Sequence, residues 1–305
     1  MSQSLLLSIL QIFGFLVIGV VVRILGYIKS EEVDRWSAFT IDILFTITVF
    51  SSMIEGLDAG RLRELWVLPV IGFWLATAGW IAGFGLKCCL KHRDMDTAKT
   101  FHYLCAINNS AYLPVIILAS VFGKEAVANL FLLNVGSTVA IWTIGVGLLK
   151  GLDIKESLRK MLTPNLIALI AGMVIVVAGI QVYIPSVVRG VLADAGAITI
   201  PLILIIIGAT IWGTPVLRYG RDTALAIVAR LVIVPILSML PLMALRLPHD
   251  VFVVSLVVAL MPAPAIAPLF TRRFGGNTDF AAAVSVATTA ISLVTVPALF
   301  CLFSG

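Results

Sequence analysis

Charge is what this sequence has least of. Only 12% of its 305 residues are Asp, Glu, Lys or Arg, about half the share a soluble domain carries. The deficit runs the whole length of the chain, which excludes a soluble globular protein and points to an all-α polytopic membrane protein. Histidine and cysteine are scarce too, at three and four residues, too few and too scattered for a metal cluster or a disulfide framework. Cys88 and Cys89 are adjacent in a basic loop, while Cys105 and Cys301 lie in apolar runs; all four read as packing residues or free thiols. No H-E-x-x-H pair, G-x-S-x-G elbow or phosphate-cradling glycine loop occurs, so the sequence gives no support to an enzyme, a metal, a cofactor or nucleotide-driven transport. The net charge of +5 comes from basic residues set singly between apolar runs, which argues against nucleic acid as a partner.

What is present is a series of apolar runs, each long enough to cross about 30 Å of hydrocarbon. They predict ten transmembrane helices, at 4–26, 36–54, 66–86, 100–122, 127–149, 163–181, 191–212, 224–245, 251–271 and 280–303. The first 26 residues lack a basic n-region and a small-residue cleavage site, so that run is expected to be a retained helix. Fourteen of the 21 Lys and Arg fall in loops after odd-numbered spans, Lys87, Lys91, Arg93, Lys155 and Lys160 among them; five fall on the other side. By the positive-inside rule the richer side is cytoplasmic. Both termini then face away from the cytoplasm, in a multi-pass plasma (inner) membrane protein surrounded by lipid.

Two of these runs are interrupted. Span 4 carries NNSAYLP (108–114) and span 9 carries ALMPAPAIAP (259–268). Pro114 strips one hydrogen bond from a helix, and Pro262, Pro264 and Pro268 strip three more, at about 3 kcal/mol each if nothing compensates. Freed backbone groups are tolerated in lipid only where they are buried in protein or line a wet cavity. Ten spans allow a 5 + 5 inverted repeat, with halves 1–150 and 151–305, in which spans 4 and 9 correspond. Paired interruptions of this kind point to a transporter's binding site. Spans 5 and 10, with GSTVAIWTIG (136–145) and SVATTAISLVTVP (285–297), share small and hydroxyl residues at matching depth, as closely packed membrane helices do.

The candidate binding residues follow. Asn108 and Asn109 each offer two donors and a neutral acceptor, suited to a carboxylate beside half-helix N-termini; alternatively one of them re-satisfies a carbonyl freed by proline. Tyr112 stacks on a substrate or packs between helices. Ser137, Thr138, Thr288 and Thr289 complete a polar cavity or serve interhelical packing. Asp42 is the acid placed well inside a span, a functional residue by default with snorkelling as its plainer role. Arg230 neutralises an anion, pairs with an acid, or reaches water by its long stem. Asn134 and Gln181 read as isolated packing amides, and Asp279 as helix-start chemistry for span 10.

These residues resemble the auxin efflux carrier family, which includes prokaryotic carriers and the plant PIN-type exporters. The similarity spans GFLVIGVVVRILGYIKSEEVDRWS (14–37), the Asn-containing stretch ending in Pro114, and MPAPAIAPLFTRRFGGNTDFAAAVSVATTAISLVTVP (261–297). The chain departs from the family at Phe45, near a position that commonly holds Pro in span 2, and in a shorter Asn-to-Pro spacing than the plant exporters have. The resemblance implies a fold like that of bile-acid/sodium symporters, with spans 4 and 9 broken and crossing. It implies a homodimer built on a scaffold of spans 1, 2, 6 and 7, and a moving transport domain of spans 3–5 and 8–10. The implied function is secondary transport of small organic anions, carboxylates and auxin-like acids included, by elevator-type alternating access. The alternative is a sodium- or proton-coupled symporter or antiporter of the same fold, although neither interruption contains an acid.

Overall fold

A backbone in lipid must satisfy its own hydrogen bonds, and a helix does so within a single segment. The computed structural model describes residues 2–92, 94–151, 159, 161–212 and 216–303; Arg93, Lys155 and Lys160 lie outside them. Among the described residues the regular structure is entirely helical.

The helices are α1 (Ser2–Ile24), α2 (30–56), α3 (Val67–Leu86), α4a (Met95–Ala106), α4b (Tyr112–Val121), α5 (Gly123–Lys150), α6 (Pro164–Val177), α7 (Ser186–Ile211), α8 (Gly220–Ala244), α9a (His249–Ala259), α9b (Ala267–Phe274) and α10 (Thr278–Phe303). Stretches 35–56, 67–89, 123–150, 186–210 and 220–244 are long and apolar enough to cross a membrane; the apolar helices 14–24, 112–121, 164–177 and 249–259 are shorter. The chain is thus a polytopic membrane protein. α2, α5 and α8 each contain one wide turn of π type, at Thr40–Leu44, Ile141–Gly145 and Ala229–Ile233.

Helix ends follow local chemistry. The Asp94 carboxylate accepts from the Thr97 N–H at 2.9 Å and caps α4a, and that backbone donor holds its carboxyl below the ordinary range. Thr163 caps α6 ahead of Pro164 in the first turn. Asn277 caps α10, accepting from the Phe280 N–H at 3.0 Å, while Asp279 in that first turn pairs with Arg218 at 2.8 Å. At Gly275 (φ +98°) the chain leaves α9b in a conformation that side chains rarely adopt.

The chain divides into two compact units. The first takes residues 1–66, 115–132 and 162–213. In it α1 packs on α7, and α2 on α6 and α7. Gly19 lies against the Ile205 carbonyl and Gly208 against the Leu16 carbonyl, so any side chain at either position would collide with backbone. A polar seam joins α2 to its neighbours: the Thr48 and Thr199 hydroxyls are 2.8 Å apart, and the Thr46 hydroxyl donates to Asn165 Oδ1 at 2.7 Å. At one end the turn between α4b and α5 is held by Lys124 to Glu55 and by Glu125 to Arg61.

The second unit takes residues 67–114, 133–161 and 214–305. In it α3 packs on α4a and α8, and α10 on α8 and α9b. Gly72 and Gly136 let α3 and α5 meet backbone to backbone, at Leu133 and Pro69 respectively. One end of this unit is closed by hydrogen bonds. The Asp222 carboxylate, fully buried, accepts from the Lys91 and His92 N–H groups at 2.7 and 2.9 Å and lies 2.6 Å from His92 Nδ1.

Candidate functional site

The two interruptions predicted from proline and asparagine are real gaps in helix structure. α4a stops at Ala106 and α4b begins at Tyr112; α9a stops at Ala259 and α9b begins at Ala267. Inside the second unit the gaps meet. The Asn109 N–H donates to the Pro262 carbonyl at 2.9 Å, so a backbone donor orphaned by one gap is satisfied by the other.

Each freed group can be followed to its partner. Pro262 has no N–H to offer the Val258 carbonyl four residues back, and Asn108 Nδ2 donates there at 2.7 Å. The Ala263 N–H donates to the Thr288 hydroxyl at 3.2 Å, and the Pro264 carbonyl accepts from the Ser285 hydroxyl at 2.9 Å. Ser285 and Thr288, on the α10 face toward the gap, therefore replace the helix bonds that α9 forgoes. Pro114 falls in the first turn of α4b rather than in the gap, where a missing N–H costs little. Pro268 occupies the same place in α9b.

The adjacent asparagines differ. Asn108 is half-buried and spends a donor on Val258. Asn109 is 3% exposed. Its Oδ1 accepts from the Tyr112 N–H at 3.2 Å, capping α4b, while its Nδ2 is buried with no partner among the described residues. An amide donor in that position costs about 1–3 kcal/mol unless something accepts from it.

Arg230 overturns the expectation that its stem carries the charge out to water. It is 2% exposed. From the wide turn of α8 its Nε donates to the Met261 carbonyl at 3.1 Å, Nη1 to Cys105 at 2.9 Å and Nη2 to Ala259 at 3.0 Å. Ala259 ends α9a, and Cys105 is the penultimate residue of α4a. The guanidinium thus caps the negative ends of both half-helices. Proline and asparagine announce the gaps in sequence, but nothing near Arg230 in sequence announces this role.

The remaining candidates are distributed as follows. Ser137 is buried on the α5 face that meets Gly72 of α3, and Thr138 is half-buried beside it. Thr289 is buried, with its carbonyl accepting from the Ser292 hydroxyl at 2.7 Å. Tyr112 is half-buried at the start of α4b. Asp42 belongs to the first unit, in the wide turn of α2, with an exposed side chain. Asn134, expected to be a packing amide, has both Oδ1 and Nδ2 buried without partners among the described residues, a second unspent amide in the second unit.

Apolar helices with two gaps that satisfy one another fit the class that the family match shows, a membrane transport protein. More narrowly, the chain belongs to the membrane transport protein family, that of the auxin efflux carriers, whose model matches residues 4–157 and 151–300. It is similar to an uncharacterized transporter of Methanothermobacter thermautotrophicus, 24% identical over 297 residues, or 95% of each chain. A second uncharacterized transporter, from Methanocaldococcus jannaschii, is 24% identical over 218 residues, or 70% of each chain.

Proposed function

We propose that the protein is a secondary carrier of small organic anions that binds a carboxylate at the crossing of the α4 and α9 gaps. The observation that carries this reading is the Asn109 amide, whose oxygen is committed to capping α4b while its buried Nδ2 has no acceptor among the described residues. A carboxylate supplies that acceptor, and the N-terminal ends of α4b and α9b favour its charge. The proposed architecture has ten crossings in a 5 + 5 inverted repeat, with both termini outside the cytoplasm. The first unit serves as a dimerising scaffold and the second as the part that moves, elevator fashion. The grouping of α1, α2, α6 and α7 in one unit supports that division.

Cation exchange fits less well. Among the described residues neither gap contains an acid, and Arg230 is the charged group at the crossing. The carbonyls best placed to hold sodium, those of Cys105, Ala259 and Met261, already accept from that guanidinium.

The test is thermal stabilisation of the purified protein by acetate, benzoate, succinate and indole-3-acetate, with and without sodium. At least one carboxylate should raise the melting temperature, and Asn109→Ala should abolish that shift while the protein still melts cooperatively. A shift of wild-type size in Asn109→Ala removes the residue from the site.

A further inference from the structure

The crossing contains one full charge, which has no acidic partner among the described residues. Among the described residues Arg230 donates to backbone carbonyls alone. Asp222 is the other buried Asp, Glu, Lys or Arg among the described residues. It lies two turns earlier on α8 and is committed to the 91–92 backbone and His92. The half-helix dipoles do not cancel the guanidinium. Each broken helix presents a C-terminal end, worth about −0.5 charge, and an N-terminal end, worth about +0.5, to the same region. The four ends sum to nearly zero and leave the charge of Arg230.

Resting on the carrier reading above, we infer that Arg230 is a counter-charge built into the moving unit. The cargo is then a monoanion, and the loaded unit moves with its charge balanced. The empty unit moves one positive charge, so membrane potential acts on the return of the empty carrier. A dianion leaves the loaded unit with uncompensated charge in a low-dielectric site and is disfavoured. A neutral acid leaves the guanidinium unbalanced and gains nothing from it. Arg230 acts here as a positioning residue as well: by holding the Cys105, Ala259 and Met261 carbonyls it fixes the crossing that presents Asn109.

The experiment needs no cargo. Native cysteines are replaced, a reporter is introduced by Ala111→Cys in the α4 gap, and the protein is reconstituted into liposomes. Labelling by a membrane-impermeant maleimide from one side is followed under potassium diffusion potentials of either sign. A full charge crossing 100 mV changes an equilibrium by about fifty-fold, and part of the field by several-fold. The cargo-free protein should show a potential-dependent labelling rate of that order, kept in Arg230→Lys and lost in Arg230→Gln. The wild-type measurement decides the matter even if Arg230→Gln does not fold. Labelling from both sides with no dependence on potential overturns the inference and leaves the carrier reading standing. Labelling confined to one side at every potential fails the carrier reading itself.

Discussion

Asn108 and Asn109 have the same side chain at neighbouring positions, yet their amides end in different circumstances. Asn108 repairs a carbonyl freed by Pro262 across 150 residues of sequence. Asn109 caps the next half-helix and keeps a donor in reserve. The difference arises from backbone direction in a five-residue gap, where one residue's step turns a side chain from one neighbour to another. Asn108→Ala should therefore cost stability rather than binding. The Val258 carbonyl keeps the Met261 N–H at 3.2 Å, so the loss is about 1 kcal/mol. The outcome expected is a melting temperature lowered by about 2–4 °C with carboxylate affinity within a factor of two or three of wild type. A collapse of affinity with an unchanged melt would reverse the roles of the two residues.

Among elements, the α9 gap is held open by α10. Ser285 and Thr288, one helical turn apart, each return a hydrogen bond to the α9 backbone that proline and the gap removed. Thr288→Val keeps the shape and deletes the acceptor, leaving the Ala263 N–H buried and unpaired at a cost of about 1–3 kcal/mol. Thr288→Ser should restore most of that, and paired thermal melts of the two variants decide it. Equal destabilisation by Val and Ser would mean that packing, not the hydroxyl, matters there. Helix boundaries also show where reading apolar runs stops short. The sequence predicts span 2 from 36, whereas α2 begins at Ser30, because a polar turn such as SEEVDR can remain helical outside the hydrocarbon, where hydropathy carries no signal. Span 4, read as one run over 100–122, starts at Met95 under the Asp94 cap.

For the whole molecule, residues 115–132, the end of α4b and the start of α5, group with α1, α2, α6 and α7 in the first unit. Within that unit, opposite charges at consecutive positions, Lys124 and Glu125, hold Glu55 and Arg61. Gly56 lets the chain approach the Lys124 carbonyl so closely that a side chain there would strike it. Exposed pairs are worth about 0–1 kcal/mol each, so this attachment is one that modest changes release. Lys124→Glu should raise amide hydrogen exchange across residues 115–125, and adding Glu55→Lys should bring it back toward wild type. If the double variant exchanges as fast as the single one, the pair does not hold the turn.

The sequence by itself determined that the chain is an all-helical polytopic membrane protein, and that two of its apolar runs are interrupted at NNSAYLP and MPAPAIAP. Those are consequences of local chemistry: hydropathy sums along a segment, and proline removes a donor wherever it stands. Tertiary structure alone decided which asparagine keeps a free donor, that Thr288 and Ser285 repair α9, and that Arg230 faces three carbonyls instead of water. It also assigned Asp42 to the first unit and the two amides to the second. The reason is that a freed backbone group takes whichever partner lies within about 3 Å. Partners brought within that distance across 21 to 150 residues leave no periodic trace in sequence.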